Sequence, residues 1–199
     1  MNTETNTKES AYANRLVNLQ NKNWKKRIKF FNPYRYHLST ICKGQVLEIG
    51  CGIGRVLDFI PQISTGVDHN EKAVEICKEK GLNAFTSKEF LLENVYKKES
   101  FDTLLLSHVL EHMTFKEAQE LLNIYLPFLK KDGMLILITP QLKGYQSDPT
   151  HIENMDTQTL QRLTKTLLID EKINYSFPFP SYFGKYFIYN ENVFIGIKR

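Results

Sequence analysis

The stretch Val46-Leu-Glu-Ile-Gly-Cys-Gly-Ile-Gly-Arg55 carries an apolar run into three glycines at alternate positions, Gly50, Gly52 and Gly54, with Glu48 close to the end of the run. Glycine reaches positive φ and has no Cβ, so a backbone built this way can press against a ligand. The pattern predicts a buried strand, a tight turn, and a helix beginning near Arg55 whose free N–H groups face the crevice. Three further places hold groups able to bind or to move protons. Thr65-Gly-Val-Asp68-His69 ends a second apolar run in a carboxylate. Ser107-His108-Val-Leu-Glu111-His112 comes after a third run, and Asp148-Pro-Thr-His151 lies in a polar stretch further on. Histidine as a residue type titrates near pH 6.5, which suits it to proton transfer near neutrality.

The glycine spacing is G-x-G-x-G, not the G-x-G-x-x-G of dinucleotide sites. With Glu48 in front, it resembles motif I of the class I S-adenosylmethionine (SAM) methyltransferases. Asp68 comes about 20 residues on, the interval at which a strand-end acid meets a ribose. Phe101 to Met113 and Gly133-Met-Leu-Ile-Leu-Ile-Thr-Pro140 come next in order. Four landmarks in this order are similar to the ubiquinone-methyltransferase-like, small-molecule group, over roughly residues 44 to 170.

That resemblance implies a cofactor and a set of contacts. SAM would be the methyl donor and S-adenosylhomocysteine the product. Glu48 would offset the methionine ammonium, Asp68 would accept from the ribose hydroxyls, and Arg35 would pair bidentately with the methionine carboxylate. Gly50, Cys51, Gly52, His69, Ser87 and Ser107 would line the cofactor pocket at the carboxyl ends of the strands. Ser87 stands where relatives often place an Asp for the adenine amino group. The Asn-Pro-Pro-Tyr/Phe-type signature of amino methyltransferases is absent, which favours a small-molecule hydroxyl, on a metabolite or a sugar. Asp148-Pro-Thr-His151 resembles segments of methyltransferases associated with glycan and small-metabolite pathways. His151 is the first candidate for general base and His108 the competing one.

His108-Val-Leu-Glu-His112 also matches H-x-x-E-H, an inverted zinc-protease signature, but that motif needs a long helix and here it comes directly after a buried strand. Some relatives with Glu-x-x-Glu-His at this place bind a divalent ion. Here His108 replaces the first Glu, Glu111 and His112 complete an i, i+3, i+4 face, and His151 adds a fourth ligand. The favoured reading is that Glu111 and His112 are helix-start residues bonded to nearby backbone, and no metal is assigned.

The elements that must hold these residues can be read from periodicity. Strands are expected at 45–49, 64–67, 82–86, 101–106 and 133–139, with helices near 55–61, 70–80, 88–94 and 115–130. Alternation of this kind means α/β: a doubly wound, mostly parallel seven-stranded sheet in three α/β/α layers. Leu104 to Leu106 and Leu135 to Ile138 are continuously apolar, as strands covered on both faces should be. Residues 141–154 read as a polar loop and 156–168 as a helix capped by Asp156. Residues 172–177 and 189–197 read as a C-terminal antiparallel hairpin joined by an aromatic connection. Residues 1–10 read as a disordered tail and 11–199 as one methyltransferase domain. Within it, 11–42 would form a helical lid, with helices at 11–31 and 34–42.

The 199 residues are 42% apolar and 24% charged, an ordinary globular balance with no run long enough to span a membrane. Cys42, Cys51 and Cys77 are odd in number and lack metal spacing, so they read as reduced thiols in a cytoplasmic protein. A small-molecule acceptor is the expected partner, with no membrane. The net charge of +4 is too mild to demand nucleic acid. A local cluster, Lys22, Lys25, Lys26, Arg27 and Lys29 with Trp24, Phe30 and Phe31 interleaved, keeps an RNA-binding or RNA-modifying alternative open. A non-catalytic binding protein built on the same fold is the remaining alternative.

Overall fold

A computed structural model describes residues 33–60, 63–92 and 95–199. The expected tail, the helix at 11–31 and the basic cluster lie outside them. Of the expected lid, only 33–42 falls within them. The strands are β1 (Val46–Ile49), β2 (Ser64–Asp68), β3 (Ala84–Thr86), β4 (Phe101–Ser107), β5 (Leu129–Pro140), β6 (Ile169–Phe177) and β7 (Glu191–Lys198). The α-helices are α1 (Pro33–Ile41), α2 (Glu71–Glu79), α3 (Ser87–Leu92), α4 (Phe115–Tyr125), α5 (Leu142–Tyr145) and α6 (Thr157–Thr166). The strands form one seven-stranded sheet in the order β3-β2-β1-β4-β5-β7-β6. β1–β4, β2–β3 and β4–β5 pair in parallel, and β7 runs antiparallel to both β5 and β6. This is the mostly parallel sheet with a C-terminal hairpin that the sequence predicts.

Contacts group the described residues into two units, those up to 41 with those of 50–95, and 42–49 with 96–199. In the first, α1 opens on Pro33, whose missing N–H costs nothing at a helix start. Asn70 caps α2 by accepting from the Ala73 N–H at 3.0 Å. Phe90 on α3 is fully buried, worth roughly 2–3 kcal/mol for a side chain of its size. In the second unit, β1 is buried at every position, and the cores of β4 and β5 are apolar on both faces. Thr114 begins α4 with a reciprocal capping box: its hydroxyl accepts from the Glu117 N–H, and the Glu117 carboxylate accepts from the Thr114 N–H. Asp156 caps α6, as expected.

Five expectations need correction. The helix expected over 55–61 is a single 3-10 turn, Leu57–Phe59. Pro61 disfavours helical geometry for Ile60, which sits at φ −134° and ψ 50°, so no helix N-terminus faces the crevice there. α4 stops at Tyr125, two residues before Pro127, and a 3-10 turn carries the chain to Phe128. The loop expected over 141–154 contains α5. β5 and β6 begin earlier than expected, at Leu129 and Ile169.

Candidate active site

In the first unit the glycine turn folds against the end of β2. Gly50, Gly52 and Gly54 all have positive φ, at 74°, 53° and 79°. The Gly50 and Cys51 N–H groups both donate to the Val67 carbonyl, at 2.8 and 3.2 Å. Asp68, 5% exposed, then closes the turn: its Oδ2 accepts from the Gly52 N–H at 2.7 Å and its Oδ1 from the Asn70 N–H at 2.9 Å. The carboxylate thus shapes the turn, and each oxygen keeps a second lone pair for a ligand hydroxyl. His69 points to solvent, with Nδ1 3.4 Å from Asp68 Oδ1. Cys51 is buried with Leu57, Val74 and Cys77 in a small apolar cluster. Arg35, on α1, lies 5.9 Å from the centre of the Phe59 ring, and Arg55 lies 5.7 Å from that of Tyr34. Helix α1 is therefore stapled to the segment just beyond the glycine turn. Ser87 is the first residue of α3, just past the end of β3.

In the second unit Glu48 is buried in β1, and Cys42, just before it, has its thiol pushed up to about 12, chiefly by burial. Ser107 ends β4 and is buried. His108 comes next at φ 57°, a left-handed conformation that a non-glycine residue adopts only when its surroundings enforce it. Those surroundings are two carboxylates. His108 Nε2 lies 2.7 Å from Glu191 Oε1, and Nδ1 lies 3.2 Å from Glu111 Oε1. Burial alone would lower the imidazole pKa, but the hydrogen bonds and charges of Glu111 and Glu191 outweigh it and push it up to about 9. His108 is then an imidazolium at neutral pH with both N–H groups engaged. That does not suit the base expected of it, since a base must start neutral. Glu111 has no exposed surface; its Oε1 faces His108, and its Oε2 has no hydrogen-bond donor.

Glu191 was not legible as a site residue. It is 83 positions from His108 in sequence, and only register brings it near. β7 pairs Glu191 with Pro140, while β4 pairs Ser107 with Ile138, so the first residue of β7 lands beside the end of β4. Its one sequence signal is an acid at the head of the run Val193-Phe-Ile195.

His151 is held from below by α5. Its Nδ1 lies 2.7 Å from the Tyr145 carbonyl, and its ring stacks on Tyr145 at 5.6 Å. A carbonyl can only accept, so Nδ1 carries the hydrogen and Nε2 keeps its lone pair. His112 lies edge-on to His151, ring centres 4.8 Å apart, and its Nδ1 is 3.3 Å from both oxygens of Thr150. The Ile152 N–H donates to the Glu111 carbonyl at 2.7 Å. These contacts fold the 148–153 segment onto the 3-10 turn Leu110–His112. One ligand-capable atom from each of Glu111, His112 and His151 falls within 4.8 Å of the others. His108 does not belong to that group, since both its nitrogens face carboxylates.

Residues 47–137 match the family described as a methyltransferase domain. No curated protein sequence matches the chain significantly. Among solved structures, a SAM-dependent methyltransferase from Archaeoglobus fulgidus superimposes with a TM-score of 0.65 at 21% identity, covering 83% of this chain and 93% of that one. A TehB-like SAM-dependent methyltransferase from Corynebacterium glutamicum gives 0.68 at 12% identity, covering 97% and 99%. Magnesium protoporphyrin IX methyltransferase from Synechocystis PCC 6803, solved with bound SAM, gives 0.58 at 15% identity, covering 83% and 75%. At these identities the structures share the fold, and the family match adds the activity. The glycine turn closed by a strand-end acid, the sheet order and the family match together make this chain a class I, Rossmann-like SAM-dependent methyltransferase.

Proposed function

We propose that the enzyme methylates a hydroxyl of a small-molecule acceptor, a metabolite or a sugar, with His151 as general base. Bound SAM supplies a sulfonium methyl that is already electrophilic, so the chain's own work is to hold the acceptor in line and take its proton. On giving up its methyl, SAM would leave as the neutral thioether S-adenosylhomocysteine, the sulfur keeping the bonding pair. The acceptor oxygen forms the new C–O bond as His151 Nε2 takes its hydrogen. The observation that carries this reading is the hydrogen bond of His151 Nδ1 to the Tyr145 carbonyl, which presents a basic Nε2 on a fixed ring. Asp68 is assigned to the ribose hydroxyls, Gly50, Cys51 and Gly52 to backbone contact with the cofactor, Glu48 to its ammonium and Arg35 to its carboxylate. His69, Ser87 and Ser107 stay as lining residues. His108 acts here as a fixed cation that orders Glu111 and Glu191.

The test is His151→Ala. It should lower kcat by roughly 10²–10⁴-fold and leave SAM affinity as in the parent, read by calorimetry. An unchanged kcat would remove His151 from proton transfer and leave positioning alone.

One observation favours a second reading, in which Glu111, His112 and His151 hold a divalent ion. Glu111 is a fully buried carboxylate whose Oε2 has no hydrogen-bond donor, and the three residues converge within ligand range. An ion there would supply Lewis acidity and orient adjacent hydroxyls. Turnover abolished by EDTA and restored by Mg²⁺ or Zn²⁺ favours this reading over the base.

A further inference from the structure

Residues 178–190, between β6 and β7, expose an unusual share of aromatic surface. Phe179 is 43% exposed, Tyr182 63%, Tyr186 79% and Tyr189 61%, with Phe183 and Phe187 each above a third. The rings touch one another. Phe179 lies 5.5 Å from Phe183 and 5.3 Å from Phe187, Tyr182 lies 4.3 Å from Phe183, and Phe187 lies 5.6 Å from Tyr189. Contiguous apolar surface of this kind marks an interaction site.

The backbone beneath it is tied down. The Phe179 N–H donates to Asn190 Oδ1 at 2.9 Å, and Asn190 Nδ2 donates to Gln141 Oε1 at 2.9 Å and to the Pro180 carbonyl at 3.3 Å. Phe187 N–H bonds back to the Phe183 carbonyl at 2.8 Å. The rings are therefore displayed by a satisfied scaffold, and their exposure needs a reason.

We propose that this aromatic surface docks on an anionic lipid bilayer. Charge selects the occupant. From 172 to 190 the sequence has Lys172 and Lys185 and no acid. Exposed Lys143 and Leu142 on neighbouring α5 extend the same mixture. The next acid along the chain, Glu191, is buried and taken by His108. A second copy of the chain would set like charge against like across a two-fold contact. A surface that is apolar in depth and negative at its face accepts both parts. Tyrosine suits that boundary because its ring is apolar and its hydroxyl wet.

The sequence alone gives no reason to expect a membrane partner. Among the described residues no helix is long and apolar enough to cross one. Lying on a bilayer is a different state from crossing it. The patch also adjoins the acceptor side proposed above. A Cβ on Gly144 would sit 2.7 Å from the Ile188 carbonyl, and the next residue, Tyr145, holds His151. Docking itself does not depend on the role of His151.

The full chain is sedimented with phosphatidylcholine vesicles, with and without phosphatidylglycerol. Binding to the anionic vesicles should be at least about tenfold tighter and weaken as salt rises. Tyr182→Ser with Tyr186→Ser should lower it by about tenfold or more, and Lys185→Glu should reduce the preference for anionic lipid. Unchanged SAM affinity in each variant reports an intact fold, a readout separate from activity. Failure of the wild type to bind anionic vesicles overturns the proposal. So does equal binding by the double Tyr variant. Self-association without vesicle binding, lost in that variant, would make a second copy the occupant.

Discussion

A histidine at positive φ, clamped between two carboxylates, sets the electrostatics at the end of β4. At neutral pH His108 is an imidazolium facing Glu111 on one side and Glu191 on the other. The consequence for stability has a definite sign. Unfolded, His108 titrates near 6.5; folded, it is raised to about 9 by Glu111 and Glu191 against the opposing effect of burial. Between those values the folded state binds more protons than the unfolded, so stability falls as pH rises. The contribution is complete below about pH 6.5 and gone above about pH 9. It should amount to something on the order of 2 kcal/mol, discounted for the part of the ring that solvent reaches. In denaturant melts run with EDTA, the wild type should lose that much between pH 6 and pH 9.5, and His108→Gln should lack the slope. A wild-type curve flat over this range would show that folding leaves the imidazole pKa unshifted. Half of this constellation is legible in sequence: His108 and Glu111 stand three residues apart after an apolar strand. The other half, Glu191, is fixed by antiparallel register across β5, which hydrophobic alternation does not encode.

At the scale of elements, the glycine turn shows what a local pattern can and cannot specify. Its strand is legible because Val46 to Ile49 is an uninterrupted apolar run ending in glycine. The segment beyond the turn is not legible, because the residues after Arg55 have a helical look that Pro61 cuts short. α5 is hidden for a related reason: four residues, one of them Gly144, give no periodicity to read, yet this turn holds His151. Gly54 is the position where the turn tolerates least change. It has φ 79°, and a Cβ there would sit 2.5 Å from Leu82 Cδ1 and 2.9 Å from Cys77 Sγ. Both neighbours belong to the cluster that packs α2 against the turn, so they can yield only by opening it. Gly54→Ala should therefore destabilise the protein by roughly 2–5 kcal/mol, joining a left-handed backbone penalty to overpacking. Gly81 is the internal control: its φ is 72° but nothing lies within 4 Å of a Cβ there. Gly81→Ala should cost only the backbone part, about 1–2 kcal/mol. Equal losses in the two variants, measured by urea titration, would show that the packing around Gly54 relaxes freely.

For the whole molecule the clearest readout is the coupling of cofactor binding to stability. A ligand that binds only the folded chain stabilises it by RT ln(1 + [L]/Kd), about 2.7 kcal/mol when ligand stands at a hundred times Kd. In a chain of 199 residues, each kcal/mol moves Tm by about 2–4 °C. Saturating S-adenosylhomocysteine should therefore raise Tm by roughly 5–10 °C. Asp68 decides how much of that survives mutation, because it does two things. It accepts from the Gly52 and Asn70 N–H groups, and it is assigned to the ribose. Asp68→Ala removes both, so the unliganded Tm should fall and the ligand-induced rise should shrink. Asp68→Asn separates them. Its remaining carbonyl oxygen still serves one backbone N–H, but its amide nitrogen cannot accept, and the carboxylate charge is gone. Losing a charged hydrogen bond costs about 1.5–3 kcal/mol, so affinity should fall roughly 10–150-fold in Asp68→Asn. If that variant binds S-adenosylhomocysteine as tightly as the wild type, Asp68 shapes the turn without touching the cofactor. The ribose contact must then be sought among other residues at the strand ends.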